Sequence, residues 1–164
     1  MKDLSRIRLL VMDVDGVLTD GRIILDSTGN ESKEFHVRDG SGLKLWQRAG
    51  KRAAVITGRT STVVAVRAAE IGLDPVIQGA AEKLPAFRRV LNECRVKPEQ
   101  VAYVGDDLPD VPVMVQCGLA VAVADACPEA RRAAHYVTTA PGGHGAVREA
   151  IELILGCQGA WPAP

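Results

Sequence analysis

Residues 8–16 read RLLVMDVDG, and this stretch points to the fold class of the chain. Its apolar part, a predicted strand at residues 8–14, is continuous rather than alternating. Continuous apolar runs of this kind are typical of strands that are buried on both faces of a parallel sheet. Three further runs occupy residues 53–57, 101–105 and 119–123. Together the four runs predict the main strands of one central parallel sheet.

Segments with helical patterning separate these strands. We predict helices at residues 41–49, 60–71, 83–94 and 146–155, and all but the third are followed directly by a glycine, a common helix terminator. Strands that alternate with helices form α/β proteins, in which right-handed crossovers bring the strands into one parallel sheet. The sequence therefore predicts an α/β protein with a Rossmann-like central sheet.

The segment at residues 21–37 departs from this alternation. It reads as two short strands, at residues 22–25 and 33–37, around the turn-forming residues 26–30. This predicts a β-hairpin inserted after the first strand. With 164 residues in total, the chain is expected to form one domain over residues 1–164, with an extended tail at about 157–164.

Composition excludes several classes of function. Lys and Arg number 20, as do Asp and Glu, so the chain has no net charge to attract nucleic acid or an anionic membrane surface. No apolar stretch reaches the ~20 residues that a membrane span needs. The four cysteines form no C-x-x-C pair, which disfavours a zinc site and fits reduced thiols. We expect a soluble, cytoplasmic protein.

Acidic residues collect where the predicted strands end. Asp13 and Asp15 follow the first strand, and Asp106, Asp107 and Asp110 follow the strand at 101–105. Because the carboxyl ends of parallel strands meet at one edge, these carboxylates are expected to lie close together. Two like charges about 4 Å apart repel by about 4 kcal/mol at an effective dielectric constant of 20, so a cation is needed between them. Oxygen ligands alone favour Mg²⁺ over Zn²⁺.

Two further residues complete the set of groups that a phosphate-binding site needs. Thr57 follows the second strand and precedes a glycine, and Lys83 opens a predicted helix. Any one of these polar residues, taken alone, is more often a helix cap or a turn residue. Caps and turns require no fixed order along the chain, however. D-x-D-G, then T-G, then a helix-opening lysine, then G-D-D-x-x-D is therefore a specific combination.

Residues 13–20 (DVDGVLTD), with Thr57, Lys83 and residues 105–107 (GDD), resemble the haloacid dehalogenase (HAD) phosphatase superfamily. The similarity is closer to members that hydrolyse the phosphate ester of an eight-carbon keto sugar acid. It rests on the additional segments 37–40, 56–59, 101–107 and 142–149. The resemblance implies a HAD fold without a cap domain, and an Mg²⁺-dependent phosphatase of lipopolysaccharide biosynthesis.

The resemblance also implies roles for individual residues. Asp13 would be the nucleophile and Asp15 the general acid and base, while Thr57 and Lys83 would hold the transferring phosphoryl group. Mg²⁺ would bind the carboxylates of Asp13 and Asp106 and the backbone carbonyl of Asp15, with Asp107 and Asp110 orienting water or Lys83. The expected contacts with the phosphorylated sugar acid are Asp15, His36, Val37, Arg38, Asp39, Gly40, Lys44, Arg59, Arg67 and Lys83.

The resemblance further implies a homo-oligomer, most simply a tetramer, in which the hairpin packs against neighbours and an adjacent subunit completes each active site. Three alternatives remain for comparison. A response-regulator receiver domain orders its acidic, Thr and Lys motifs differently. A non-catalytic HAD-like scaffold would normally lack Asp13 or Asp15. A phosphatase for a nine-carbon keto sugar acid 9-phosphate tends to carry Glu after the T-G pair, where this chain has Arg59.

Overall fold

A computed structural model describes residues 3–162 of the chain. Within that range the chain forms eight strands: β1 (Leu9–Met12), β2 (Ile24–Leu25), β3 (Glu31–Ser32), β4 (Arg52–Ile56), β5 (Val76–Ile77), β6 (Val101–Gly105), β7 (Leu119–Ala122) and β8 (Tyr136–Val137). Six of them form a parallel sheet in the order β5-β4-β1-β6-β7-β8, and β2 pairs with β3 in a separate antiparallel hairpin. The predicted α/β fold with a central parallel sheet and an inserted hairpin is confirmed.

Helices connect the strands. They are α1 (Val37–Arg48), α2 (Thr62–Glu70), α3 (Lys83–Cys94), α4 (Val111–Met114), α5 (Pro128–Ala133) and α6 (Ala146–Cys157). From β1 the chain runs outward through β4 to β5, and then crosses to β6 and runs outward to β8 on the other side. Because the crossovers in such sheets are right-handed, connections that run in opposite directions place helices on opposite faces. Both faces of the sheet are thereby covered.

The central strand β1 pairs with β4 on one side and β6 on the other, and this pairing sets the relative positions of the residues that follow the three strands. Met12 pairs with Val55 of β4 and with Val104 of β6. The next residue continues the pairing, because the Asp13 N–H donates to the Val104 carbonyl at 3.1 Å. All four residues of β1 are buried, so burial of apolar surface fixes the register of the sheet. The polar residues after β1, β4 and β6 therefore emerge together at one edge.

The hairpin and the first helix differ from the sequence prediction. The second hairpin strand was expected at residues 33–37 but is β3 (Glu31–Ser32), and Val37 already lies in α1. The helix begins early because the His36 side chain accepts a hydrogen bond from the Arg38 N–H and so caps its first turn. The two-residue strands β5 and β8 were missed because they are too short to show a pattern.

The C-terminal residues fold back instead of extending from the domain. The N–H groups of Ala160 and Trp161 both donate to the Leu155 carbonyl, at 2.8 and 3.2 Å. The Trp161 ring packs on the core and lies 4.7 Å from the Arg148 guanidinium. The predicted extended tail is therefore wrong for residues 157–161, and its last residues, 163–164, lie outside the described range. No helix within residues 3–162 has the length and apolar composition to cross a membrane.

Candidate active site

The D-x-D-G segment forms a tight turn directly after β1. Gly16 has a φ of +92°, a conformation that side chains rarely adopt, and a Cβ at this position would overlap the Asp106 carboxylate. The N–H groups of Val17 and Leu18 donate to the Val14 carbonyl and close the turn. A glycine is thus required for the loop after β1 to lie against the loop after β6.

Lys83 forms ion pairs with Asp13, the candidate nucleophile, and with Asp110 in the segment after β6. Its Nζ lies 2.7 Å from Asp13 Oδ2 and 2.7 Å from Asp110 Oδ1, and its side chain is buried. Burial alone would lower the pKa of Lys83, but Asp13 and Asp110 raise it above its ordinary value. The group is therefore held as an ammonium ion, and its position is fixed from two sides.

Asp110 organises the β6 loop from a fully buried position. Its Oδ1 accepts hydrogen bonds from Lys83 Nζ at 2.7 Å and from the Tyr103 hydroxyl at 2.6 Å. Its Oδ2 accepts from the N–H groups of Asp106 and Asp107, at 3.0 and 3.2 Å. Oxygen atoms of Asp13, Asp106 and Asp110 lie within 4.8 Å of one another. Each oxygen of Asp110 already accepts two hydrogen bonds, whereas each oxygen of Asp13 has one donor and Asp106 Oδ1 has none within residues 3–162, so Asp13 and Asp106 are the better metal ligands.

Asp13 and Asp106 lie in surroundings that disfavour their negative charge. Burial raises the pKa of Asp13 to about 6; the negative charge of Asp110 also raises it, and the positive charge of Lys83 lowers it. Burial and the repulsion of Asp110 and Asp13 raise the pKa of Asp106 to about 8. Asp106 Oδ1 is also buried without a hydrogen-bond partner among residues 3–162. An oxygen-only donor set that is short of positive charge fits a hard divalent cation such as Mg²⁺.

These residues line one cavity of about 360 Å³ at the carboxyl edge of the sheet. The predicted site residues that face it are Asp13, Asp15, Thr57, Arg59, Lys83, Asp106 and Asp107. They come from the ends of β1, β4 and β6 and from the start of α3, and thus from segments up to 94 residues apart (107 − 13). A larger cleft of about 1000 Å³ is lined by Leu119 and Tyr136 at the opposite edge of the sheet, but it contains none of these groups.

The hairpin contributes two charged residues that the sequence reasoning missed. Lys33 forms an ion pair with Asp15 Oδ1, and its Nζ lies 3.3 Å from Glu31 Oε1. Arg59 Nη2 lies 3.1 Å from the same Glu31 oxygen. The available signal was the two-residue spacing of Glu31 and Lys33, which is the spacing of side chains that share a face of a strand, although β3 ends at Ser32 and Lys33 directly follows it.

Asp39 does not line the cavity, although the sequence analysis expected it to contact substrate. It is 1% exposed, and its Oδ1 accepts a hydrogen bond at 2.8 Å from the Arg148 N–H, in the first turn of α6. Burial raises the pKa of this carboxyl. A side chain so buried has no surface to offer a ligand. The structure gives Asp39 a structural role, which is to hold the start of α6.

Arg67 is also separate from the cavity. It was expected to contact substrate together with Arg59, but it lies within α2 and does not line the cavity, whereas Arg59 lies in the loop before that helix and does. Arg67 pairs with Glu70 at 2.8 Å and lies over the Phe35 ring, 5.7 Å from its centroid.

The other expected substrate contacts lie on or beside α1. His36 caps the helix, Gly40 packs closely against the Arg67 guanidinium, and Val37, Arg38 and Lys44 are exposed. Within one chain these residues do not line the cavity, so contact with a ligand bound there would need a second chain.

Sequence comparison defines the class of protein. A family model for haloacid dehalogenase-like hydrolases matches residues 60–151, and the chain belongs to this family. More particularly, it is 49% identical over 151 residues to 3-deoxy-D-manno-octulosonate 8-phosphate phosphatase KdsC of Yersinia pestis, covering 92% of this chain and 81% of that protein. The predicted superfamily is confirmed.

Solved structures give the same result. The crystal structure of the 3-deoxy-D-manno-octulosonate 8-phosphate phosphatase from Yersinia pestis matches with a TM-score of 0.94 and 48% identity, over 96% of this chain and 85% of that one. The phosphatase of the same name from Moraxella catarrhalis, in complex with magnesium ion, phosphate ion and Kdo, matches with a TM-score of 0.93 and 43% identity, over 95% of this chain and 90% of that one.

Proposed function

We propose that this protein is a Mg²⁺-dependent phosphatase that hydrolyses 3-deoxy-D-manno-octulosonate (Kdo) 8-phosphate to Kdo and phosphate. The observation that carries the proposal is the cavity at the ends of β1, β4 and β6. It combines two carboxylates of the D-x-D-G turn with Thr57 and Lys83. Relatives that bear this activity in their names are nearly half identical to the chain over most of its length.

In the first step, an oxygen of the Asp13 carboxylate attacks phosphorus and the bond from phosphorus to the sugar oxygen breaks. Asp15, as the acid, gives its proton to the departing alkoxide, so the products are Kdo and an aspartyl-phosphate. Asp13 is well held for this attack, because its Oδ1 accepts the Val14 N–H at 2.7 Å and its Oδ2 meets Lys83.

In the second step, water attacks the phosphorus of the aspartyl-phosphate. The Asp15 carboxylate takes a proton from that water, the acyl–phosphate bond breaks, and phosphate and free Asp13 result. Thr57 and Lys83 donate to the phosphoryl oxygens in both steps. The carboxylates of Asp13 and Asp106 and the backbone carbonyl of Asp15 would hold Mg²⁺, which when bound offsets the charge of the phosphoryl oxygens.

The proposal assigns the carboxylate of the sugar acid to Arg59. This residue lines the cavity beside Thr57, and its side chain is 50% exposed, so its guanidinium can reach a bound ligand. A guanidinium binds a carboxylate through two parallel hydrogen bonds. Arg59 would therefore hold the end of the substrate remote from the phosphate.

The proposal includes a cytoplasmic homo-oligomer, most simply a tetramer. Its support is the set of large apolar side chains exposed on the hairpin and on the nearby helices, namely Ile23, Ile24, Leu25, Val37 and Val66. A hairpin of two-residue strands is too short to be stable by itself, and a neighbouring subunit would cover these side chains. Light scattering of the active enzyme tests this part, and an active monomer would contradict it.

The decisive experiment is phosphate release from a panel of phosphorylated sugar acids, with Mg²⁺ and with chelator. We expect the highest kcat/KM for Kdo 8-phosphate, loss of turnover with chelator, and loss of nearly all turnover in Asp13→Asn. Asp74→Asn is the matched control, since this exposed carboxylate pairs with Arg52 on the surface. Full activity in Asp13→Asn, or a clear preference for a nine-carbon 9-phosphate, would refute the proposal.

A further inference from the structure

Four charged groups of alternating sign pair with one another beside the cavity, and two of them, Asp15 and Arg59, line it. Lys33 lies between Asp15 and Glu31, and Arg59 lies between the same two carboxylates. We call Asp15, Lys33, Glu31 and Arg59 the charge ring. Two of its members come from the hairpin and two from the loops after β1 and β4. Through the charge ring, the hairpin contacts the loop after β1 that carries Asp15.

The burial of Lys33 is unusual for its position. It follows a hairpin strand whose residues are mostly exposed, yet its own side chain is only 1% exposed. A buried ammonium is costly unless it is paired and hydrogen-bonded. Here the cost is met by Asp15, which accepts a hydrogen bond from Nζ, and by Glu31 at 3.3 Å.

The two oxygens of Asp15 are made different by this contact. Oδ1 is bound by Lys33, whereas Oδ2 lies 3.8 Å from Arg59 Nε, beyond hydrogen-bond distance. Oδ1 is therefore anchored, whereas Oδ2 of this cavity-lining residue accepts no hydrogen bond within residues 3–162. A carboxyl group that must transfer a proton to and from an exact point gains from such an anchor.

We propose that Lys33 is a positioning residue for Asp15, fixing its carboxyl group so that Oδ2 faces the oxygen of the leaving group. The inference rests on the proposed function, in which Asp15 is the acid and base. It assigns the hairpin a task in the reaction of its own chain, in addition to any contact with a neighbour. Lys33 acts through Asp15 and need not touch the substrate.

A competing explanation is that Lys33 only anchors the hairpin. The two roles differ in how they depend on the leaving group. A sugar alkoxide is a poor leaving group and needs the proton from Asp15, whereas p-nitrophenolate leaves without it. Since kcat/KM reports only the steps up to release of the leaving group, a misplaced Asp15 lowers it for the sugar ester and spares the aryl ester.

The test compares kcat/KM for Kdo 8-phosphate and p-nitrophenyl phosphate in Lys33→Met, with Mg²⁺ at one pH. We expect a loss of roughly 10- to 100-fold on the sugar phosphate, carried by kcat rather than KM, and less than about threefold on the aryl phosphate. Lys33→Arg should recover most of the lost rate. Arg22→Met is the matched control, because this hairpin cation is 80% exposed and pairs with Asp20.

Equal losses on both substrates, or no loss on either, would overturn the inference. Thermal unfolding and light scattering verify the fold and assembly of each variant. We call a large loss on the sugar phosphate with little loss on the aryl phosphate the substrate split. Lys33→Gln, which keeps a neutral donor, is measured in parallel and should show this split if Lys33→Met does not fold. Asp15→Asn separates the two proposals. If wild type does not hydrolyse Kdo 8-phosphate, or if Asp15→Asn shows no split, the proposed function fails. A split in Asp15→Asn that is absent in every folded Lys33 variant refutes the Lys33 inference alone.

Discussion

Replacing Asp110 by Asn tests how the buried network supports the site. The carboxylate accepts four hydrogen bonds, from Lys83 Nζ, the Tyr103 hydroxyl and the N–H groups of Asp106 and Asp107. Asparagine offers one acceptor oxygen, so its NH₂ group must face one pair of these donors. Each buried donor left without an acceptor costs about 1–3 kcal/mol, and breaking a buried ion pair costs about 3–5 kcal/mol.

We therefore expect Asp110→Asn to lower the free energy of unfolding by about 3–5 kcal/mol, a large part of the ~5–15 kcal/mol that holds a domain together. With a urea m-value of about 2 kcal/mol/M, the midpoint should fall by about 2 M. Turnover should fall as well, since Lys83 loses one of its two anchors. The exposed Asp74→Asn serves as the control, and a loss below about 1 kcal/mol in Asp110→Asn would refute the reasoning.

Three further predictions follow from single contacts. Arg59→Ala should lower kcat/KM for Kdo 8-phosphate about ten- to a hundredfold, mainly through KM, and spare p-nitrophenyl phosphate; equal losses would remove Arg59 from carboxylate binding. Gly16→Ala should abolish turnover, because its Cβ meets the Asp106 carboxylate and its φ is +92°; an active, folded variant would contradict this. Burial would raise the pKa of Glu149, but hydrogen bonds from the Thr139 and Ala140 N–H groups and the Tyr136 hydroxyl lower it below 4.5. The stability that the Glu149 carboxylate contributes, about 1 kcal/mol, is present above pH 4.5 and is lost as the pH falls through the pKa of the folded state. The free energies of unfolding of wild type and Glu149→Gln, measured in urea, should therefore converge on acidification. A difference between them that stays constant with pH would contradict this.

Residues that follow buried strands could be located from the sequence. Asp13, Thr57 and Asp106 come directly after continuous apolar runs, and parallel pairing in register brings such positions to one edge. The fold class and the placement of Asp13, Thr57 and Asp106 in one candidate site follow from this rule. The rule needs only the local pattern and the geometry of parallel sheets.

Other parts of the site depend on contacts that local pattern does not encode. Lys33 reaches Asp15 from a hairpin whose strands are only two residues long, so its position is set by the ion pair itself. Asp39 accepts its hydrogen bond from an N–H group 109 residues away. Arg67 lies over the Phe35 ring, a contact between α2 and the segment before α1 that the spacing of apolar residues did not reveal. Long-range polar contacts of this kind require the folded structure.

The central claim is that Asp13 carries the phosphoryl group during turnover. Borohydride reduces an aspartyl-phosphate to homoserine, so enzyme quenched with it during hydrolysis of Kdo 8-phosphate should contain homoserine at Asp13. Cleavage after Arg8 and Arg22 yields the peptide 9–22, in which fragmentation distinguishes Asp13 from Asp15 and Asp20. We predict reduction at Asp13 only when substrate and Mg²⁺ are both present, and none in Asp13→Asn. Reduction at another aspartate, or rapid turnover by wild type with no reduced residue at any time of quenching, would contradict the account.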